Sequence, residues 1–283
     1  NALAGAVIVR SNDPTYFREG KYQLSYGTQN TGQAALMYNM PLIDDRLALR
    51  FSFDATQTDG DISNPFLGND DQDGEWNRTA RIGLRWDPTD RFSAILKYTH
   101  NEASEGAFSN QPGAGTVNLT PGPSGNSLTS FTFNSDIRAR TRNSYDSLNL
   151  RTAYEFDNSW KLSSDTSYLD TSTSEVFDAD FSTAPFSPAT RESGGKVFEQ
   201  EFRLSYDSDR TRAVVGAYFT DIDASDVQSS ETPLPPFFGL PPGTTATTEF
   251  GGSTQTRNYA VFGEVEYEFA PQWTVIACAR YDV

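Results

Sequence analysis

The densest group of metal-ligand side chains in the sequence is the acidic run at 69–75, which reads NDDQDGE. Its first residues resemble the start of a calcium-binding loop of the EF-hand type. That template requires a bidentate glutamate eleven residues after the first ligand, but Ala80 occupies that position when Asn69 is the first ligand. We therefore predict a solvated acidic loop, and weak calcium binding of another kind stays open because clustered carboxylates attract hard cations.

The sequence offers few other groups for catalysis or for a metal site. It contains one histidine, His100, and one cysteine, Cys278. A single cysteine excludes an internal disulfide and a cysteine-cluster metal site. An enzyme with a covalent intermediate needs a nucleophile beside a base, and no serine or aspartate pairs credibly with His100. We predict no catalytic residue, no metal site and no cofactor, and we expect Cys278 to be a buried, inert thiol.

Two predicted loops carry side chains that could bind a ligand. The first contains an arginine cluster in a chain of net charge −16, together with three phenylalanines. Guanidinium groups and aromatic faces could hold an anionic, aromatic-bearing ligand, or they could pack the loop with charge balance from Asp136 and Asp146. The second loop is the proline-rich stretch PLPPFFG at 233–239, whose phenylalanines either contact a ligand or pack within the loop. The candidates are Arg138, Arg140, Arg142, Phe108, Phe131 and Phe133 in the first loop and Phe237 and Phe238 in the second.

The elements that must position these loops are β-strands. The stretch 46–57, RLALRFSFDATQ, alternates apolar and polar residues, and such alternation indicates an extended strand with two unlike faces. We find no helical period, and no run of eighteen apolar residues that could form a membrane-spanning helix. A barrel strand crosses a bilayer with only about 9–11 alternating residues. About eleven segments alternate in this way: 20–28, 33–41, 46–57, 77–86, 91–102, 145–156, 160–174, 196–206, 211–222, 257–269 and 273–283.

Short and long connections alternate along the chain from the second hairpin onward. The short turns, at 42–45, 87–90, 157–159, 207–210 and 270–272, are rich in Asp, Pro, Asn and Ser. The long segments are 58–76, 103–144, 175–195 and 223–256. This order predicts an all-β antiparallel up-and-down meander with all short turns at one rim. A transmembrane barrel has this asymmetry between its two rims, whereas a soluble sandwich has evenly spaced turn signals.

Aromatic residues flank the short turns, and they share the apolar parity of their strands: Trp86, Phe92, Phe156, Trp160, Tyr206, Phe269 and Trp273. Barrels carry such aromatic girdles at the membrane boundary. We therefore expect the apolar parity to face lipid, namely Leu47, Leu49, Phe51, Phe53, Ile82, Leu84, Leu148, Leu150, Val261 and Val265. We expect the opposite parity to line a wet interior, namely Arg50, Arg81, Arg85, Arg151, Arg203 and Glu266.

The first fourteen residues, NALAGAVIVRSNDP, resemble the end of the plug domain of TonB-dependent outer-membrane receptors. The small residues at 4–6 allow the close backbone approach that a plug inside a barrel requires. The stretches YAVFGE at 259–264 and ARYD at 279–282 also resemble strands of that family. The resemblance implies a barrel of 22 strands around a plugged lumen, of which about eleven are present. Residues 1–15 would be the C-terminal end of the plug, and residues 16–283 the N-terminal half of a transmembrane β-barrel.

The resemblance also implies a function and a location. Such a protein lies in the bacterial outer membrane in contact with lipid, is not an enzyme, and takes up a scarce solute with energy from TonB. The solute is most often a ferric siderophore and less often a cobalamin or an oligosaccharide. Because the chain begins and ends inside strand-like or plug-like segments, we expect it to be a fragment without the energy-coupling box. The acidic charge excludes nucleic acid. The alternatives are a passive porin, which would lack a plug-like segment, and a soluble β-rich adhesin or binding domain.

Overall fold

The computed structural model describes residues 10–106, 132–156, 159–178, 183, 188–234, 239–241 and 243–283. Within these ranges, no helix is long and apolar enough to cross a membrane. The described residues form eleven strands: β1 (Glu19–Tyr26), β2 (Gly32–Ile43), β3 (Leu47–Thr58), β4 (Glu75–Thr89), β5 (Phe92–Gly106), β6 (Arg140–Glu155), β7 (Trp160–Asp178), β8 (Pro188–Asp207), β9 (Thr211–Pro233), β10 (Thr245–Ala270) and β11 (Trp273–Asp282).

The strands form one antiparallel sheet in the order of the sequence, from β1 to β11, so the predicted meander is confirmed. Tight turns join the strands at one rim, and two of them place a non-glycine residue in the left-handed region, Asp45 at φ 54° and Gln272 at φ 71°. The aromatic residues pack in pairs beside these turns, as the ring centres of Trp86 and Phe92 (5.8 Å apart) show. Phe269 and Trp273 form a similar pair at 6.4 Å.

Several strands continue further from the short-turn rim than the sequence predicts. β8 begins at Pro188 rather than 196, β9 ends at Pro233 rather than 222, and β10 begins at Thr245 rather than 257. The predicted long loops at 175–195 and 223–256 are therefore wrong over much of their length. The extensions are rich in Ser, Thr, Gly and Asp. Their backbone groups still pair across the ladder, which requires no apolar face.

The alternating residues separate onto two faces, as predicted. On the outer face, large apolar side chains are exposed, among them Phe51, Phe53, Ile82, Leu148, Leu150, Val261 and Val265. On the inner face, Arg85, Lys97 and Arg151 contact residues 10–17 of the same chain. Burial is concentrated in two places instead of a central core: under residues 10–17, where Asn39 and Pro14 are fully buried, and around the loops at 59–74 and 132–139.

Candidate functional site

Residues 10–17, which we call the lumenal anchor, lie against the inner face of β2–β6. Pro14 at its centre is buried, and its ring packs on Gly83 of β4. A Cβ atom on Gly83 would stand 3.2 Å from Pro14 Cγ and 3.5 Å from its Cδ. Glycine at this position therefore allows the anchor to approach the barrel wall closely.

Asn39 of β2 holds the anchor through its backbone. The side chain is fully buried, and its Oδ1 accepts a hydrogen bond from the Thr15 amide at 3.0 Å. Its Nδ2 lies 2.9 Å from the carbonyl oxygen of Thr15 and 2.6 Å from that of Phe17. An asparagine amide is suited to this position because it carries both an acceptor and two donors, and so it satisfies polar backbone groups that burial removes from water.

Asp13 supplies the charged contact of the anchor. Lys97 Nζ lies 2.6 Å from its carboxylate, and Arg151 Nη2 donates to it at 2.8 Å. Lys97 also donates to the Ser11 carbonyl oxygen at 2.6 Å. Burial raises the pKa of Asp13, but hydrogen bonds and charge from Lys97 and Arg151 outweigh burial and hold the pKa below its usual value of 3.8. The carboxylate is therefore ionised at neutral pH and bridges β5 and β6.

Tyr16 fastens the other end of the anchor near the short-turn rim. Its hydroxyl donates to Asp87 Oδ2 at 2.6 Å, and Arg85 Nε donates to the same oxygen at 2.9 Å. The Arg85 guanidinium lies 4.9 Å from the centre of the Tyr16 ring. Burial, followed by the hydrogen bond and the charge of Asp87, raises the pKa of Tyr16 to about 12. The phenol stays protonated, so it remains a donor.

The loops at 59–74 and 132–139, which we call the loop cap, form the second packed region. Asn64 is fully buried and donates from Nδ2 to the Ser135 carbonyl oxygen at 3.0 Å. Ser135 in turn donates from Oγ to Asp178 Oδ2 of β7 at 2.6 Å. Phe133, 3% exposed, is held by its amide, which donates to the Ser63 carbonyl oxygen at 2.9 Å. The loop cap is therefore a preformed structure that ties two distant loops to the end of a strand.

The acidic run at 69–75 belongs to the loop cap. Asp70 is exposed as predicted, but the prediction of a solvated loop is wrong for Gln72 and Asp73. Gln72 is 2% exposed, and the Asp73 carboxylate accepts a hydrogen bond from the Ile62 amide at 2.7 Å. Within the described ranges, no group of three or more His, Cys, Asp or Glu residues is arranged to hold a metal ion.

The structure places the predicted arginine cluster partly in the loop cap and partly on β6. Arg138 lies in the loop and pairs with the Asp71 carboxylate. Arg140 begins β6, which corrects the prediction that it lies outside the strands, and its Nη1 donates to Ser104 Oγ at 3.2 Å. Arg140 and Arg142 have the strand parity opposite to that of Arg151, so they do not share the face that holds the anchor. Ligand contact by these arginines stays a prediction.

The other predicted site residues have varied outcomes. Phe133 is buried in the loop cap, whereas Phe108, Phe131, Phe237 and Phe238 lie outside the described residues.

His100 Nδ1 is 2.9 Å from Asp146 Oδ1 on the neighbouring strand. Cys278 is exposed, which corrects the expectation of a buried thiol. Its strand, β11, pairs with β10 alone among the described strands, and no described segment packs over its inner face.

Sequence reasoning did not identify the anchor contacts. Arg151 was recognised only as a member of the inward parity, and Asp13 only as part of a plug-like stretch. The contact between Asp13 and Arg151 joins residues 138 positions apart, a separation that no local pattern encodes. The sequence contained one signal for this contact: Asp13 precedes Pro14 in a segment that was expected to lie against an inner wall rich in arginine.

A family model described as the β-barrel of TonB-dependent receptor-like proteins matches residues 99–283. The chain belongs to this family of TonB-dependent receptors. It is therefore a barrel protein of the outer membrane and belongs to a family of transporters that are not enzymes. The match covers the second half of β5 and all of β6–β11, so it includes Arg151 among the anchor contacts but begins two residues after Lys97.

Solved structures of TonB-dependent receptors share the fold of this chain at low sequence identity. The ferric yersiniabactin uptake receptor FyuA of Yersinia pestis has a TM-score of 0.75 and 15% identity, over 96% of this chain and 40% of that receptor. The siderophore receptor PiuA of Acinetobacter baumannii has a TM-score of 0.71 and 11% identity, over 96% and 43%. The copper transporter OprC has a TM-score of 0.63 and 14% identity, over 96% and 38%. The chain thus spans about 40% of the length of these receptors.

Proposed function

We propose that the complete receptor containing this chain imports a ferric siderophore across the outer membrane with energy supplied through TonB. The proposal of transport energised by TonB rests on the family match. The siderophore receptors among the similar structures support the substrate class. The loop cap supports capture, because a preformed loop structure at the rim opposite the short turns reduces the entropy lost when a ligand binds.

Copper is the second candidate substrate, because the copper transporter OprC shares the fold. Sites for copper are built from soft or imidazole ligands such as Cys, Met and His. This chain contains one cysteine, one histidine and two methionines. A chelated ferric ion brings its own ligands and requires only surface contacts, which favours the siderophore.

We further assign residues 1–15 to the end of the plug and residues 16–283 to the first half of the barrel. The lumenal anchor supports this boundary, because residues 10–17 lie on the inner wall immediately before β1. Contacts from Asn39, Lys97, Arg151 and Asp87 would keep the end of the plug fastened while the rest of the plug moves. A plug fastened in this way also argues against the passive porin.

Uptake measurements test the proposed transport. A strain lacking the receptor should lose iron-limited growth on its cognate ferric chelate, and growth should return when the gene is restored. In a strain lacking TonB, the receptor should still bind the radiolabelled chelate at the cell surface but should not import it. Import that persists without TonB would contradict energised transport and favour a porin. Receptor-dependent uptake of radiolabelled copper, with no uptake of the ferric chelate, would favour copper.

Arg138 provides a test of ligand contact, because its partner Asp71 lies in the same loop cap. If Arg138 contacts an anionic chelate, Arg138→Ala should weaken binding of a ferric tris-catecholate by about 1.5–3 kcal/mol, the range for hydrogen bonds to charged groups. Asp71→Asn should strengthen binding, because it removes the carboxylate that competes for the guanidinium. Isothermal titration of the purified receptor measures both affinities. If the pair only stabilises the loop, the two variants will change affinity in the same direction or leave it unchanged.

A further inference from the structure

A groove of about 480 Å³ crosses the outer surface of β1–β4. Its floor is made of small residues, Gly32, Ala34 and Ala55, and its walls include Tyr26 and Trp76, with Arg78 at one end. The floor is low because glycine has no side chain beyond a hydrogen atom and the side chain of alanine is a single methyl group. Tyr26, 77% exposed, rises beside it on β1.

The groove faces the membrane and not the lumen. Ala55 continues the outward series of Phe51 and Phe53 on β3, and it pairs with Ala34 on β2 and Arg78 on β4. Directly opposed residues of paired strands project from the same face. The inward series on these strands includes Asn39 and Gly83, which hold the anchor on the other side of the sheet.

The groove lies at the far boundary of the membrane span. β2 extends over 12 residues from the short-turn rim at Ile43 to Gly32, and a strand crosses the hydrocarbon layer in about 9–11 residues. Gly32 therefore stands at the level of the outer-leaflet headgroups. The aromatic residues on the two sides of the groove, Tyr26 and Trp76, agree with this level, because Tyr and Trp are enriched at the boundary between membrane and water.

Arg78 is available for an anion at this level. Its guanidinium lies 4.8 Å from the centre of the Trp76 ring, which orients it beside the groove. Glu102 lies opposite Arg78 on β5. Its carboxylate is directed instead toward His100, with Oε1 at 3.5 Å from Nε2. Among the residues that the structure describes, no carboxylate forms an ion pair with Arg78. An exposed arginine at a lipid boundary can bind phosphate through two parallel hydrogen bonds.

We propose that this groove is a binding site for one phosphate-bearing lipid of the outer leaflet. The glycerol region of the lipid lies over Gly32, Ala34 and Ala55 between the aromatic walls, and the headgroup phosphate binds Arg78. One acyl chain continues over Leu36 and Phe53 toward the hydrocarbon layer. The inference rests on the outer-membrane location of the family and is independent of the imported substrate. It assigns a function to residues that neither the lumenal anchor nor the loop cap uses.

Native mass spectrometry of the complete receptor in detergent tests the site with two probes of equal chain length. The probes are dipalmitoylphosphatidylglycerol and dipalmitoylglycerol, which lacks the phosphate. Arg78→Gln should weaken retention of the phospholipid about fivefold, the effect expected for one arginine at a charged lipid surface. It should leave retention of dipalmitoylglycerol unchanged. Ala55→Phe should abolish retention of both lipids by filling the floor, and Leu148→Phe, an outward position on β6, should behave as the wild type.

Ala34→Phe repeats the groove-filling test if Ala55→Phe fails to fold, as judged by heat-modifiable mobility on gels. The site is overturned if the wild type and Ala55→Phe retain the phospholipid equally. It is also overturned if Arg78→Gln weakens retention while both groove-filling variants do not, because the attraction would then belong to the surface charge and not to a groove. A receptor dimer that the groove-filling variants dissociate would assign the surface to a second copy and likewise overturn the lipid.

Discussion

The outer and inner faces of β3–β6 consist of alternate residues of the same strands, yet they meet different surroundings. On the outer face, Phe51 and Ile82 project into lipid and are exposed on the protein itself. On the inner face, Asn39 of the adjoining β2 is fully buried, and Lys97 and Arg151 make directional contacts with the lumenal anchor. The outer face therefore requires only apolar character, whereas the inner face requires particular atoms at particular distances.

The largest effect should come from placing a charge on the outer face. Phe51→Arg lies nearer the middle of β3 and pairs with Ile82, so the guanidinium would enter the hydrocarbon layer. We expect a loss of about 2–4 kcal/mol in unfolding free energy in bilayers, measured by denaturant titration of the complete receptor. Ser167→Arg is the matched control on the inner face, because it lies opposite Asn149 and Glu199 and away from the anchor contacts, and it should stay within about 0.5 kcal/mol of the wild type. Equal losses in both variants would contradict the assignment of faces.

A smaller effect should follow from loss of one inner-face side chain. Asn39→Ala removes the hydrogen bonds to Thr15 and Phe17 and leaves buried backbone groups without partners. Docking of the anchor should weaken by about 1–3 kcal/mol, and hydrogen exchange at the Thr15 amide should accelerate accordingly. The strands should keep their exchange protection, because the outer face is unchanged. Thr15 exchange at the wild-type rate would show that Asn39 does not hold the anchor.

The smallest effect should be a pH-dependent release of the anchor through Asp13. Because its pKa is lowered on docking, the contribution of Asp13 is complete above about pH 4, near its unperturbed pKa, and is lost as the pH falls through the lowered pKa. Asp13→Asn should remove it at neutral pH, at a cost of about 1 kcal/mol for a pair that is partly exposed.

A spin label at Arg10→Cys, in a Cys278→Ala background, reports this release as increased mobility. The wild type should stay immobile from pH 7 to pH 4 and become more mobile only as the pH falls further, through the lowered pKa of Asp13, whereas Asp13→Asn should be more mobile throughout. Identical pH profiles in the two proteins would exclude Asp13 as the titrating group.

The sequence was sufficient to predict the strands wherever a strand meets two different media. Alternation identified the stretch 46–57 and its neighbours, and the short turns gave the meander, because lipid on one side and water on the other impose a period of two. Beyond the membrane both sides are wet, and the alternation disappears. The predicted strands β8, β9 and β10 were therefore too short at the ends far from the short-turn rim, even though their backbone ladders continue there.

The candidate sites were predicted less completely than the fold. The contact between Asn64 and Ser135 joins loops 71 residues apart, and its members are ordinary polar residues that the sequence alone presents as solvated. Arg138 was recognised by its charge, but its pairing with Asp71 was not, because Asp136 and Asp146 lie closer in sequence. Charge and residue type identify candidates, whereas their partners depend on the three-dimensional arrangement of the loops.

The long β9–β10 hairpin has a consequence for how a solute first meets the receptor. Its ladder continues from Tyr259 to Thr245 beyond the aromatic ring contact between Phe219 and Tyr259. At about 3.3 Å per residue, this extension is on the order of 45 Å along the strand. A ladder of this length is a stiff arm whose far end, at Pro233 and Thr245, lies well outside the headgroup layer. First encounters would then occur in the surrounding medium, where a solute diffuses without hindrance from the membrane surface.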